Sequence, residues 1–119
     1  MIGTSGGVLE MQALLILKSF ATHVLPARAM GLSRTFCDIV GMIPGGKMIG
    51  VKLKRSVSSP LTPDQAGKYF DAEISLMKSC CCYKKSVRLE LWVAFSEGRW
   101  QFFEITNEGI REVAHACQP

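Results

Sequence analysis

No apolar run in this chain is both long enough and clean enough to cross a bilayer. The best stretch, Val8 to Phe20, is interrupted by Glu10, Gln12 and Lys18, so no membrane partner is expected. The first residues also lack the basic region and small-residue cleavage site of a signal peptide. Paired cysteine spacing is missing too. The five cysteines are Cys37, Cys80, Cys81, Cys82 and Cys117, an odd number with no two C-x-x-C pairs at zinc-finger spacing. They read as reduced thiols of a cytoplasmic protein. The alternative use is a zinc site built from Cys80 to Cys82 with His115 or Cys117. The two histidines, His23 and His115, are isolated, and neither is assigned a role. There is no internal repeat, long linker or break in composition.

What is present is ordinary globular material. Hydrophobic residues make up 48 % of the 119 positions and charged residues 20 %, which suits one ordered domain with a modest core. Residues 1–7, small and glycine-rich, read as a loose arm, and 8–119 as the domain. The net charge of +4 suits an anionic partner without demanding one.

Periodicity places the elements. Leu9, Ala13, Ile16, Leu17 and Phe20 fall on one stripe, which predicts a helix from Val8 to about Thr22. Val24 to Met30 reads as a strand at a sheet border, because it contains Pro26. Phe36 to Ile43 and Met48 to Lys54 read as a hairpin joined through Pro44-Gly45-Gly46-Lys47. Thr62-Pro63-Asp64-Gln65 is a helix start with a capping box, and the helix is expected to run to about Ser79. Ser86 to Phe95 alternates as a strand, with Val87, Leu89, Leu91, Val93 and Phe95 facing one way. Arg99 to Ile105 follows as another strand, and Asn107 to Cys117 as a short terminal helix. The order is α-β-β-β-α-β-β-α, an α/β class chain with helices packed on a sheet.

The hairpin carries the chemistry. Asp38 lies inside an otherwise apolar strand, where an acid costs free energy unless it is paired or binds a cation. Residues two apart on a strand share a face, so Asp38 goes with Val40, and Gly50 with Lys52 and Lys54. In the matching register, Asp38 faces the Gly50–Lys52 pair. Such a cluster suits phosphodiester hydrolysis. Carboxylates hold a divalent ion, and a lysine orients the nucleophile or neutralises developing charge. Magnesium keeps several waters, so two carboxylates and a backbone carbonyl can suffice.

Asp38, the hairpin and Val51-Lys52 resemble the D…(D/E)-x-K motif of the restriction-endonuclease-like nucleases. More of the chain agrees: Glu10 in the first helix, Gly31, Ser33 and Arg34 before Cys37-Asp38-Ile39-Val40, then Leu61-Thr62-Pro63-Asp64-Gln65. The strands around Trp92-Val93-Ala94-Phe95 and Arg99-Trp100-Gln101-Phe102-Phe103 follow. From Val8 to Ile105 this order resembles the archaeal-type Holliday junction resolvases. The resemblance implies a restriction-endonuclease-like core, a central mixed sheet flanked by helices, and a homodimer that cuts branched double-stranded DNA. It implies that Glu10, Asp38 and the Val51 carbonyl hold Mg2+ or Mn2+, that Lys52 assists the attacking water, and that Ser33 touches the scissile phosphate. Gln65 matches a helix glutamine near the site.

The second acid of the motif does not match, because its position is Gly50. Either Gly50 disables the site, or a helix acid has taken over, or only the fold is shared. Asp64 is the first candidate for a migrated acid, with Asp71 and Glu73 further along. Phosphate contacts are expected from Arg28, Arg34, Lys47, Lys54, Arg55, Lys84 and Lys85, with Arg88 nearby in sequence. Trp92, Trp100, Phe102 and Phe103 read as core or subunit-interface residues, which favours a dimer. The alternatives are another repair or mobile-element nuclease of the same superfamily, and an inactive DNA-binding module.

Overall fold

A computed structural model describes residues 4–30, 37–56, 60–79, 87–96 and 98–115. Helix α1 spans Thr4–Lys18, so the end of the presumed arm is helical. Its Leu9, Ala13, Ile16 and Leu17 are buried, as their spacing predicts. The strands are β1 His23–Pro26, β2 Ile39–Ile43, β3 Lys47–Arg55, β4 Val87–Ser96, β5 Arg99–Thr106 and β6 Gly109–Val113. They form one sheet in the order β1-β2-β3-β4-β5-β6. Only β3 and β4 pair in parallel; the other neighbours are antiparallel. Two antiparallel meanders are therefore joined by one parallel seam. The crossover that a parallel pair requires contains α2 Pro63–Tyr69 and α3 Asp71–Ser79.

Each face of the sheet has its own core. Helix α1 covers Ile39, Ile49, Val51, Trp92, Ala94, Trp100 and Phe102. Helices α2 and α3 cover Leu89, Leu91, Val93, Phe103 and Ile105 with Ala66, Phe70, Ile74 and Met77. The aromatics of β4 and β5 are thus covered within one chain, and they no longer argue for a dimer. Gly41 lets α1 approach the sheet, since a Cβ there would lie 3.1 Å from Leu17 Cδ2 and 3.2 Å from the His23 carbonyl oxygen.

Three expectations are corrected. The strand from Val24 ends at Pro26 and passes into a 3-10 turn, Ala27–Met30. The helix after Thr62 is two helices, parted at Phe70. The expected terminal helix is strand β6, entered through a two-residue turn between Thr106 and Gly109, which has φ +143°. Pairing along β5 outweighs whatever local helical preference this segment has. The Pro44–Gly46 turn stands as read, with Gly45 and Gly46 at φ +97° and +79°, the backbone region that favours glycine.

Candidate functional site

The β2–β3 register pairs Ile39 with Val51 and Val40 with Gly50. One step further, where the ladder ends, Asp38 comes beside Lys52, with Oδ2 3.8 Å from Nζ. Both side chains are largely buried, at 7 % and 15 % exposure. The Asp38 backbone replaces part of the lost ladder: its N–H donates to the Val51 carbonyl at 2.7 Å, and its carbonyl accepts from Ala27 N–H at 2.9 Å. Its carboxylate accepts the Leu53 N–H at 2.8 Å. The acid predicted inside an apolar strand is therefore satisfied by a backbone donor and a lysine. The Val51 carbonyl sits at the same point and already accepts one hydrogen bond.

Gly50 opens on the same face. A Cβ at this position would lie 3.4 Å from Leu89 Cδ2 and 3.8 Å from Cys37 Cβ and Sγ. The buried side chain of Cys37 packs with Ala27 and Val40. Glu10 lies on α1. It pairs with Arg28 at 3.4 Å, and Arg28 follows Ala27, which binds the Asp38 carbonyl. Asp38, Val51 and Lys52 thus meet at one end of the β2–β3 ladder, with Glu10 paired to Arg28.

Asp64 and Gln65 are taken elsewhere. The Gln101 side chain on β5 clamps Leu61, donating to its carbonyl and accepting from its N–H, both at 2.8 Å. That anchors the start of α2, and the helix packs towards β6, three strands from β3. Gln65 closes the predicted capping box, accepting the Thr62 N–H at 2.8 Å. Asp64 is exposed in the first turn. Ser33, Arg34, Lys84, Lys85, Cys80 to Cys82 and Cys117 lie outside the described residues. Lys47 stands exposed at the hairpin turn and Arg55 at the far end of β3. Lys54 binds Glu73 of α3 at 3.1 Å.

Of two further acids, sequence reasoning ranks Glu73 only behind Asp64 as a migrated acid and passes over Glu90. Glu73 lies beside Lys54 and Lys52. Its carboxyl loses some solvation by burial, yet its own backbone hydrogen bond and the two lysines hold its pKa below the ordinary value. Glu90 on β4 is fully buried, on the face covered by α1. It accepts from Trp92 Nε1 at 2.7 Å and Arg88 Nε at 2.6 Å, and lies 2.8 Å from His115 Nε2. Burial pushes its pKa up, but His115, Trp92 and Arg88 outweigh that and hold it low. The signal was Arg88-x-Glu90-x-Trp92, three residues of one strand face. It was hidden because a polar alternation normally marks a solvent face.

Oxygen donors of this kind suit a hard divalent cation that keeps most of its waters. Among the described residues, no group of three or more His, Cys, Asp or Glu side chains converges. Any such ion would rest on few protein ligands. Among the described residues, no helix is long and apolar enough to cross a membrane. No protein-family model matches the chain, and no curated protein matches it.

Proposed function

We propose that this chain is a metal-dependent endodeoxyribonuclease of the restriction-endonuclease-like class, acting on branched DNA and preferring four-way junctions. The observation that carries the reading is the β2–β3 register, which sets Asp38 3.8 Å from Lys52 with the Val51 carbonyl between them in sequence. The element order supports it: a helix, three antiparallel strands, a helical crossover and a parallel fourth strand. Asp38, Glu10 and the Val51 carbonyl would hold Mg2+ or Mn2+, which supplies Lewis acidity at the phosphate and a more acidic water. Lys52 places a positive charge where negative charge develops on the phosphate oxygens. Ser33 enters the proposal through the family resemblance alone; Gln65, held in the capping box of α2, has no part in it.

A homodimer belongs to this proposal, because two equivalent sites can cut two symmetry-related strands. Val8, Met11 and Leu15 on the outer line of α1 support it; they are 52 %, 65 % and 65 % exposed. Gly50 favours a second reading, an inactive DNA-binding module with the same surface, since no carboxylate stands at that position.

The test incubates the chain and its Gly50→Glu variant with a labelled four-way junction and a linear duplex, with and without Mg2+. Mg2+-dependent cutting of the junction by either protein supports a nuclease. Junction binding by both proteins without cutting supports the inactive module. Neither cutting nor preferential junction binding would sink the resolvase reading.

A further inference from the structure

We infer that Glu73 of α3 supplies the acid that the second motif position lacks, so that Asp38 and Glu73 hold the divalent cation from the two sides of Lys52. This rests on the nuclease reading above. The argument begins with the faces of β3. Ile49 and Val51 point into the core under α1. Gly50, Lys52 and Lys54 therefore point the other way, towards α3. Lys52 meets Asp38 of β2 at 3.8 Å, and Lys54 meets Glu73 of α3 at 3.1 Å. Lys52 also acts on the Glu73 charge, so both carboxylates share its field.

The other acids fit less well. Asp64 stands at the start of the helix that packs towards β6, and Asp71 is exposed at the start of α3. The position of Glu73 is fixed from below: Ile74 and Met77 of the same helix are buried against Leu89 and Leu91. A glutamate on a helix anchored in this way replaces a carboxylate on β3 without disturbing the β2–β3 ladder. It approaches from the Lys54 side of Lys52, opposite to Gly50. The competing explanation is an ordinary half-exposed ion pair with Lys54, which would contribute little to stability and nothing to metal binding.

Mn2+ binding to the full chain separates the two, read by the electron paramagnetic resonance of free Mn2+. The variants are Glu73→Gln, Asp38→Asn, Asp64→Asn and Lys54→Met. Glu73→Gln and Asp38→Asn are each expected to weaken binding by at least about tenfold. Asp64→Asn and Lys54→Met should bind no more weakly than the parent. Loss in Asp38→Asn with full binding in Glu73→Gln overturns the assignment and leaves the nuclease reading standing. If only Gly50→Glu binds Mn2+ and cuts the junction, the nuclease reading again survives and Glu73 is excluded. Absence of Mn2+ binding in the parent and in Gly50→Glu overturns both. Carboxyl 13C resonances of the unaltered chain give a check independent of variant folding. Substoichiometric Mn2+ should broaden Glu73 together with Asp38, and broadening of Asp38 alone refutes the role of Glu73.

Discussion

Gly50 leaves room for a side chain where Gly41 does not. At Gly41 the nearest atoms include the His23 backbone oxygen at 3.2 Å, which cannot retreat. At Gly50 the nearest is a leucine methyl at 3.4 Å, an ordinary contact. Gly50→Glu should therefore fold. Its new carboxylate enters a buried place beside Cys37 and Leu89, which costs stability until a cation neutralises it. The variant is expected to melt below the parent without metal and to gain more than the parent from added Mg2+, as thermal scans would register. Glu90 poses the reverse case, a buried charge already satisfied. Its folded pKa lies below the ordinary 4.5, so its contribution is complete above that value and is lost as pH falls through the folded pKa. Glu90→Gln should cost about 2–3 kcal/mol near neutral pH and flatten the acid limb of the stability curve, measured by urea titration at several pH values. Asp38 was legible because an acid among apolar strand residues demands a partner. Glu73 was legible only as a candidate ranked behind Asp64, because α3 is brought over β3 by a crossover whose course no local pattern specifies.

Among the elements, the helix start at Thr62 was readable from four residues. Thr62 accepts the Gln65 N–H and Gln65 accepts the Thr62 N–H, with Pro63 at the first helical position. Thr62→Ala should destabilise the fold by about 1 kcal/mol, seen as a lower midpoint in denaturant with an unchanged slope. The break at Phe70 was not readable, because neither glycine nor proline marks it. There the backbone leaves helical angles, at φ −110° and ψ 30°, while the Phe70 ring stays buried against β4 and β5. The hairpin strands were found to within three residues, Phe36 having been expected to begin the strand that starts at Ile39, since their register follows from the glycine turn. Strand β6 was missed because its Ile110 and Val113 are only half-buried, so an edge strand and a short helix leave similar apolar traces.

For the whole molecule, the described cations do not form one uninterrupted basic patch. Arg28, Lys54, Arg88 and Arg111 are each engaged with a carboxylate, while Lys47 and Arg55 stand exposed at opposite ends of β3. The proposed dimer would use the apolar line of α1. Leu15→Glu is expected to halve the mass seen by light scattering while leaving the circular dichroism spectrum intact, because Leu15 is 65 % exposed. The parallel seam between β3 and β4 also bears on how the chain reaches this state. The β2–β3, β4–β5 and β5–β6 pairs close through short turns between neighbouring segments, whereas Met48 must find Val87 across both crossover helices. Loop-closure entropy makes that encounter the late event. Leu91→Ala, at the seam and under α3, should then accelerate unfolding with little effect on the folding limb of a chevron plot. Gly46→Val, at a turn with φ +79°, should instead slow folding, so the hairpin that carries Asp38 and Lys52 would take shape before the sheet is complete.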